Sequence, residues 1–230
     1  MPHKIQPKGH IMKSLYVFLT LTFGMATLFG ADAHAHHDHH NHHAQDSAQT
    51  ESGKIIEAMH APMHAQKPSS TKSVEIDFLS DMIPHHQGAI DSANLLLQKV
   101  KSGKTATLAQ NIIKAQEGEI AEFKELIANK SVTTTKISSK EYKGFTEKNA
   151  KAMGMMMHRM AIKESGNVER DFLAAMIAHH QGAIDTSTIV LEYTKDEKVR
   201  QIAQKIIDDQ QNEIATMQKL IDTIDKKKRK

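Results

Sequence analysis

The sequence predicts an all-α protein, a four-helix bundle made from one helical hairpin used twice. Three observations carry this expectation. Aromatic residues make up 4% of the 230-residue chain, tryptophan is absent, and 11 glycines and 5 prolines are too few for the frequent turns of a β-sandwich or barrel. A long segment recurs without a gap. Within each copy, apolar residues fall at steps of three and four, the period of an amphipathic helix.

In chain order, residues 1–35 read as an export signal. Lys4, Lys8 and Lys13 precede an apolar run from Leu15 to Gly30, and the small residues of Ala31-Asp32-Ala33-His34-Ala35 follow. The run is short and carries threonine and glycine, so stable membrane insertion is not expected. The expected location is the periplasm or the secreted space. Residues 36–72 lack apolar periodicity and are expected to be disordered. They begin within a tract, AHAHHDHHNHHAQD, with seven histidines between His34 and His43. Its candidate ligands are His36, His37, His39, His40, His42 and His43. Imidazoles at this density suit copper(II), with zinc or nickel as alternatives.

Residues 73–129 form the first expected hairpin. Phe78, Leu79, Met82, His86, Ala89, Ile90, Ala93 and Leu97 make one stripe, and Lys101-Ser102-Gly103 breaks it. A second stripe runs through Ala109, Ile112, Ile113, Gln116, Ile120, Phe123 and Ile127. Residues 130–166 are a linker that turns helical around Glu141 to Met160. Residues 167–225 repeat the hairpin: VEIDFLSDMIPHHQGAID from Val74 returns from Val168 as VERDFLAAMIAHHQGAID. The match continues through Gln116 and Glu119 to their partners Gln210 and Glu213, and roughly half of the aligned positions are identical. Neither hairpin can bury its apolar faces alone, and a bundle of the two resolves that. Gly88 and Gly182 sit mid-helix, where glycine costs about 1 kcal/mol against alanine, and so predict a close helix–helix approach. Pro84 predicts a kink or restart of its helix. Residues 226–230 are a basic tail at a helix end, where positive charge is favourable.

Composition also excludes functions. Zero cysteines remove disulfides, thiolate metal sites and a thiol nucleophile. A formal charge of +3 is too mild to point to nucleic acid. The anomaly is 13 methionines and 16 histidines.

At about 100° per residue, Met82, His85, His86 and Ala89 share one helix face, and it is the apolar one. Folding each hairpin about its turn brings Gln116 and Glu119 level with His86, and Gln210 and Glu213 level with His180. Ligand histidines usually donate their second ring N–H to such a group. One turn further, Met82 comes level with Phe123, whereas Met176 comes level with Met217 beside His179 and His180. Met59, His60, Met63 and His64 precede the first hairpin; Met157, His158 and Met160 precede the second. Thioethers are soft and suit copper(I), imidazole binds either copper state, and methionine survives an oxidising compartment where cysteine would not. Copper is the metal expected.

The order MHxxM, then DFLxxMIxHHQGAI, then AxxIIxxQxxEI, resembles a bacterial exported family catalogued as a domain of unknown function, number three-zero-five, here in tandem copies. Its CopM-like members are periplasmic copper-binding proteins. The resemblance covers residues 59–127 and 153–221. It implies a ferritin-like helical bundle that binds or handles copper without a settled reaction. The ligands it implies are Met82, His85, His86, Met176, His179, His180 and Met217, with Met59, His60, Met63, Met157 and His158. Met160 comes one residue early in the second copy, and Phe123 stands where the family places a methionine.

The expected function is therefore a non-enzymatic periplasmic copper chaperone or sequestering protein, with a copper donor or efflux protein as partner. Two alternatives stand beside it. A ferritin-like metal oxidase needs two Glu-x-x-His motifs, and Glu57-Ala58-Met59-His60 supplies one. A metal-independent helical interaction module would use the histidines as core.

Overall fold

The structure is a computed structural model and describes residues 50–229. The export segment and the histidine tract lie outside the described residues. Among the described residues there are six α-helices and no strand: α1 Glu51–His64, α2 Val74–Lys99, α3 Lys104–Ala128, α4 Ser139–Met160, α5 Val168–Tyr193 and α6 Glu197–Lys228. The two expected hairpins are α2–α3 and α5–α6. Helix α4 is the helical part of the linker.

Two expectations need correction. Part of the segment expected to be disordered is α1, which Thr50 caps by accepting a hydrogen bond from the Gly53 N–H. Its apolar side is short, Ile55 and Met59, and finds its partner in α2, so local periodicity understated it. Pro84 does not restart its helix, because α2 runs unbroken from Val74 to Lys99. The proline removes one N–H from the ladder, and the packing of a long helix outweighs that loss.

The caps follow the sequence. Ser73, Ser138, Asn167 and Asp196 each accept a hydrogen bond from a backbone N–H in the first turn of their helix, and Ser138 with Glu141 completes a capping box. Gly103 opens α3 at a φ of 100°, a conformation that glycine adopts without strain.

Helices α2 and α5 pack against each other at the centre, each with its hairpin partner alongside, while α1 lies on α2 and α5 and α4 lies on α5. Gly88 explains the first of these seats. A Cβ there would stand 1.8 Å from the Met59 carbonyl oxygen of α1; at Gly182 it would stand 2.4 Å from the Met156 sulfur of α4. Both mid-helix glycines thus mark close approaches, to a backbone in one copy and to a side chain in the other.

The flanking helices brace the opposite copies. Ser52 of α1 donates to Asp171 of α5, and Tyr142 of α4 donates to Asp77 of α2. Asp77 and Asp171 are equivalent positions, and each also accepts a backbone N–H from the loop before its own helix, Thr71 or Ser165. Sequence neighbours and spatial neighbours are therefore interleaved.

Candidate metal centre

The buried apolar residues form two clusters. One holds Val74 to Met82 of α2, Ala183 and Val190 of α5, Phe123, Tyr142, Phe145, and Val199 to Ile206 of α6. The other holds Ala89 to Leu96 of α2, Phe172 to Ala178 of α5, Leu108 to Ile112 of α3, and Met59, Met156, Met160, Met217 and Ile221. Helices α2 and α5 run antiparallel, so each contributes one half to each cluster. The boundary falls at His85–His86 in α2, at Gln116–Glu119 in α3, at His179–His180 in α5 and at Gln210–Glu213 in α6. A polar layer built from both copies divides the hydrophobic core.

All four histidines of that layer are at most 2% exposed. The rings of His85 and His179 meet where α2 and α5 cross, their centroids 3.8 Å apart and their planes 37° from parallel. His86 and His180 flank them, at 6.0 and 6.2 Å from the adjacent ring of their own helix. Nε2 of His86 lies 2.9 Å from Glu119, and Nε2 of His180 lies 2.6 Å from Glu213. The hairpin geometry predicted both partners. A carboxylate acceptor places a proton on Nε2 of each ring and turns Nδ1 toward the buried interior.

Six ring nitrogens in this layer are buried without a hydrogen-bond partner: both nitrogens of His85 and of His179, and Nδ1 of His86 and of His180. Burial pushes the imidazoles of His85 and His179 well below the ordinary histidine range, and the neighbouring histidines add to it. These two rings are neutral at pH 7, the form that ligates metals. Burial alone would raise the Glu119 carboxyl; hydrogen bonds and charge from His86 and Lys205 outweigh it and hold the group below its ordinary value.

The methionines divide between the clusters. Met176 and Met217 share one cluster next to the histidine layer, with Met59, Met156 and Met160. Met63, Met153 and Met157 pack against it, half-buried. Met82 lies in the other cluster with Phe123, whose ring sits 5.6 Å from that of His86. A cavity of about 590 Å³ has Met63, Met82 and Met153 in its lining, together with Lys67, Lys72 and Asp81, and reaches His85. His60 and His64 pair with each other on α1, ring centroids 5.2 Å apart, and His158 is exposed. Glu57 lies 3.7 Å from His60 of its own Glu-x-x-His motif. His36, His37, His39, His40, His42 and His43 lie outside the described residues.

Among the described residues, no three or more histidine, aspartate or glutamate side chains are arranged to hold a metal ion. The imidazoles come instead as one stacked pair and two carboxylate-bound rings, with thioethers on either side.

A family model described as "Domain of unknown function (DUF305)" matches residues 24–127 and, overlapping, residues 75–221. The chain belongs to the DUF305 family. The first match contains His85 and His86, and the second alone spans both histidine pairs. This DUF305 chain is similar to "Uncharacterized protein L153" of Acanthamoeba polyphaga mimivirus, with 41% identity over 54 residues. That segment is 24% of this chain and 36% of the viral protein, so the chain spans little more than a third of that relative's length. It is also similar to a solved DUF305 fragment from Deinococcus radiodurans, at 25% identity and a TM-score of 0.49 over 68% of this chain and 99% of the fragment.

Sequence reasoning missed Lys205. Its ammonium sits 2.8 Å from Glu119 and 2.7 Å from Asp209, joining α6 to the opposite hairpin. No periodicity within one hairpin carries that signal, because the contact depends on how the two copies are placed.

Proposed function

We propose that this DUF305 chain is an exported copper-binding protein that holds copper(I) with imidazole and thioether ligands at its central polar layer. The observation that supports this best is the set of six buried, unpaired ring nitrogens. Leaving a buried polar atom unsatisfied costs about 1–3 kcal/mol, and a packing role alone offers nothing in return. A bound metal ion would satisfy several of them at once.

The donor chemistry favours copper(I) over zinc or nickel. Met176 and Met217 border the layer from one side and Met82 from the other, and thioethers select the soft monovalent ion. Glu119 and Glu213 orient His86 and His180, as carboxylates do behind metal-bound imidazoles. The cavity that reaches His85 has Met63, Met82 and Met153 in its lining, soft donors on a path inward. In this reading α2, α3, α5 and α6 are the ferritin-like four-helix bundle, and α1 and α4 are additions to it. The histidine tract collects copper(II), or zinc or nickel in their excess, in the periplasm. A copper donor or efflux protein exchanges the ion, and binding is the whole of the function.

Metal analysis of the full chain purified from copper-supplemented periplasm tests the proposal against a variant carrying His85→Leu and His179→Leu. Leucine fills the space and removes four unpaired nitrogens, so the variant should fold. The wild type should retain at least one more copper per chain than the variant after mild chelation. Equal retention by both would refute the central site.

A further inference from the structure

The cavity of about 590 Å³ is far larger than a metal ion needs and has the size of a site for a small organic molecule. It lies between α2, α4 and the loop of residues 65–73. Phe78, Met82, Tyr142 and Phe145 are buried along its inner side, half-buried Met63 and Met153 also line it, and the free surface of the lining is chiefly apolar. Lys67 and Lys72 are exposed at its rim.

The repeat shows what is particular to this half of the molecule. The loop before α5, residues 161–167, sends Ile162 onto the apolar core, and Gly166 turns the chain at a φ of 78°. The loop before α2 has nine residues against seven and carries no large apolar side chain. Where the other loop has Gly166, it has Lys72, at a φ of 73°. Glycine adopts that left-handed backbone freely and lysine does not, so the turn itself gives no reason for a lysine. The Lys72 ammonium lies 4.8 Å from the centre of the Tyr142 ring, at the cavity.

The charges of the lining differ in their commitments. Among the described residues, Lys67 and Lys72 make no ion pair. Both acidic residues are engaged: Oδ1 of Asp81 accepts the Ser69 N–H at 2.8 Å, and Glu147 pairs with Lys143 at 3.6 Å. An apolar cavity thus opens beside two cations that have no counter-ion.

We propose that this cavity binds a single-chain amphiphile with a negative head, of the aliphatic carboxylate type. Its chain lies among Phe78, Met82, Phe145 and Met153, and its carboxylate meets the ammonium groups of Lys67 and Lys72. Methionine side chains are flexible and adapt to an aliphatic chain.

Calorimetric titration of the metal-free full chain with decanoate, in about 0.15 M salt, decides it, and the result does not depend on copper. We expect one saturable decanoate per chain, with affinity rising about fourfold for each CH₂ from hexanoate to decanoate. Decyltrimethylammonium, with the same chain and the opposite charge, should bind at least tenfold more weakly. Lys67→Gln with Lys72→Gly should lower decanoate affinity at least tenfold; the second copy already uses glycine at the latter position, so the fold should survive. Ala150→Trp, an exposed position of the lining, should obstruct the cavity and lower the affinity with both lysines in place. Circular dichroism checks the helices, and if the double variant unfolds, Ala150→Trp and the ammonium probe carry the test. No saturable decanoate binding, equal binding of the two head groups, or affinity unchanged by Ala150→Trp overturns the proposal.

Discussion

The ring of His85 packs on the ring of His179 at a centroid distance of 3.8 Å, one imidazole from each copy of the repeat. The ring nitrogens of both are buried without a hydrogen-bond partner, apart from each ring's approach to the other residue's backbone, and both sit where α2 meets α5. The duplicated sequence thus meets itself at its most chemically distinctive point. A site at this contact belongs to the whole molecule and to neither hairpin alone.

The contact makes stability depend on pH. Both imidazoles have folded pKa values well below their unfolded value near 6.5, chiefly through burial. The unfolded chain therefore binds protons that the folded chain refuses. Stability from these groups is fully present above about pH 6.5 and is lost as pH falls below it, by up to about 1.4 kcal/mol per pH unit for each histidine. Urea unfolding of the metal-free protein at pH 7.5 and 5.5 should show the loss, and His85→Leu with His179→Leu should flatten it. A wild-type protein equally stable at both values would mean that these rings are not held neutral.

The two copies should differ in their hold on copper(I). Met217 and Met176 share a cluster beside His179 and His180, whereas Met82 shares its cluster with Phe123. Met217→Leu conserves volume and should cost under about 1.5 kcal/mol of stability. It should weaken copper(I) binding about tenfold, the loss of one soft ligand, while Met82→Leu changes it less. Anaerobic competition with a copper(I) chelator measures both, and equal affinities would remove the asymmetry.

The glycines should also differ. Alanine at Gly88 would drive its methyl into the α1 backbone at Met59, which cannot swing away. Alanine at Gly182 would meet the sulfur, Cγ and Cβ of Met156, a buried side chain and no backbone. Gly88→Ala should therefore destabilise by about 1–3 kcal/mol despite alanine's better helix propensity, and Gly182→Ala by less than that. Thermal melts of the two variants give the comparison; a harmless Gly88→Ala would mean that α1 is not seated on α2.

Helix α1 defines where the chain can be cut. Removing residues 1–49 leaves every described helix intact and should preserve helical content. Removing residues 1–66 takes away Ile55 and Met59 from the core and the Ser52–Asp171 hydrogen bond, and should lower the melting temperature by several degrees. Circular dichroism distinguishes the two. Equal melts would show α1 to be dispensable.

How far the sequence carries is visible in particular residues. The His86–Glu119 and His180–Glu213 pairs were legible because a hairpin with a short turn sets which residues lie level, and the repeat supplied the same answer twice. The close approaches at Gly88 and Gly182 were legible from the cost of glycine in a helix. What covers those glycines was not, since α1 and α4 reach them across the chain. The stacking of His85 on His179 was equally hidden. It depends on α2 crossing α5, and periodicity within one helix says which face is buried but not what it meets. Helix α1 was missed because two buried apolar side chains in fourteen residues give a weak stripe, and α2 supplies the rest of its stability.

X-ray absorption at the copper edge, on chain lacking residues 34–46 and loaded anaerobically with one equivalent of copper(I), probes the central claim most directly. Deleting the tract leaves the polar layer and its bordering methionines as the chief donors. The account predicts a first shell of mixed nitrogen and sulfur, with sulfur diminished by Met217→Leu and nitrogen diminished by His85→Leu with His179→Leu. A shell of oxygen or nitrogen alone, unaltered by either change, or a protein that takes up no copper, would contradict it.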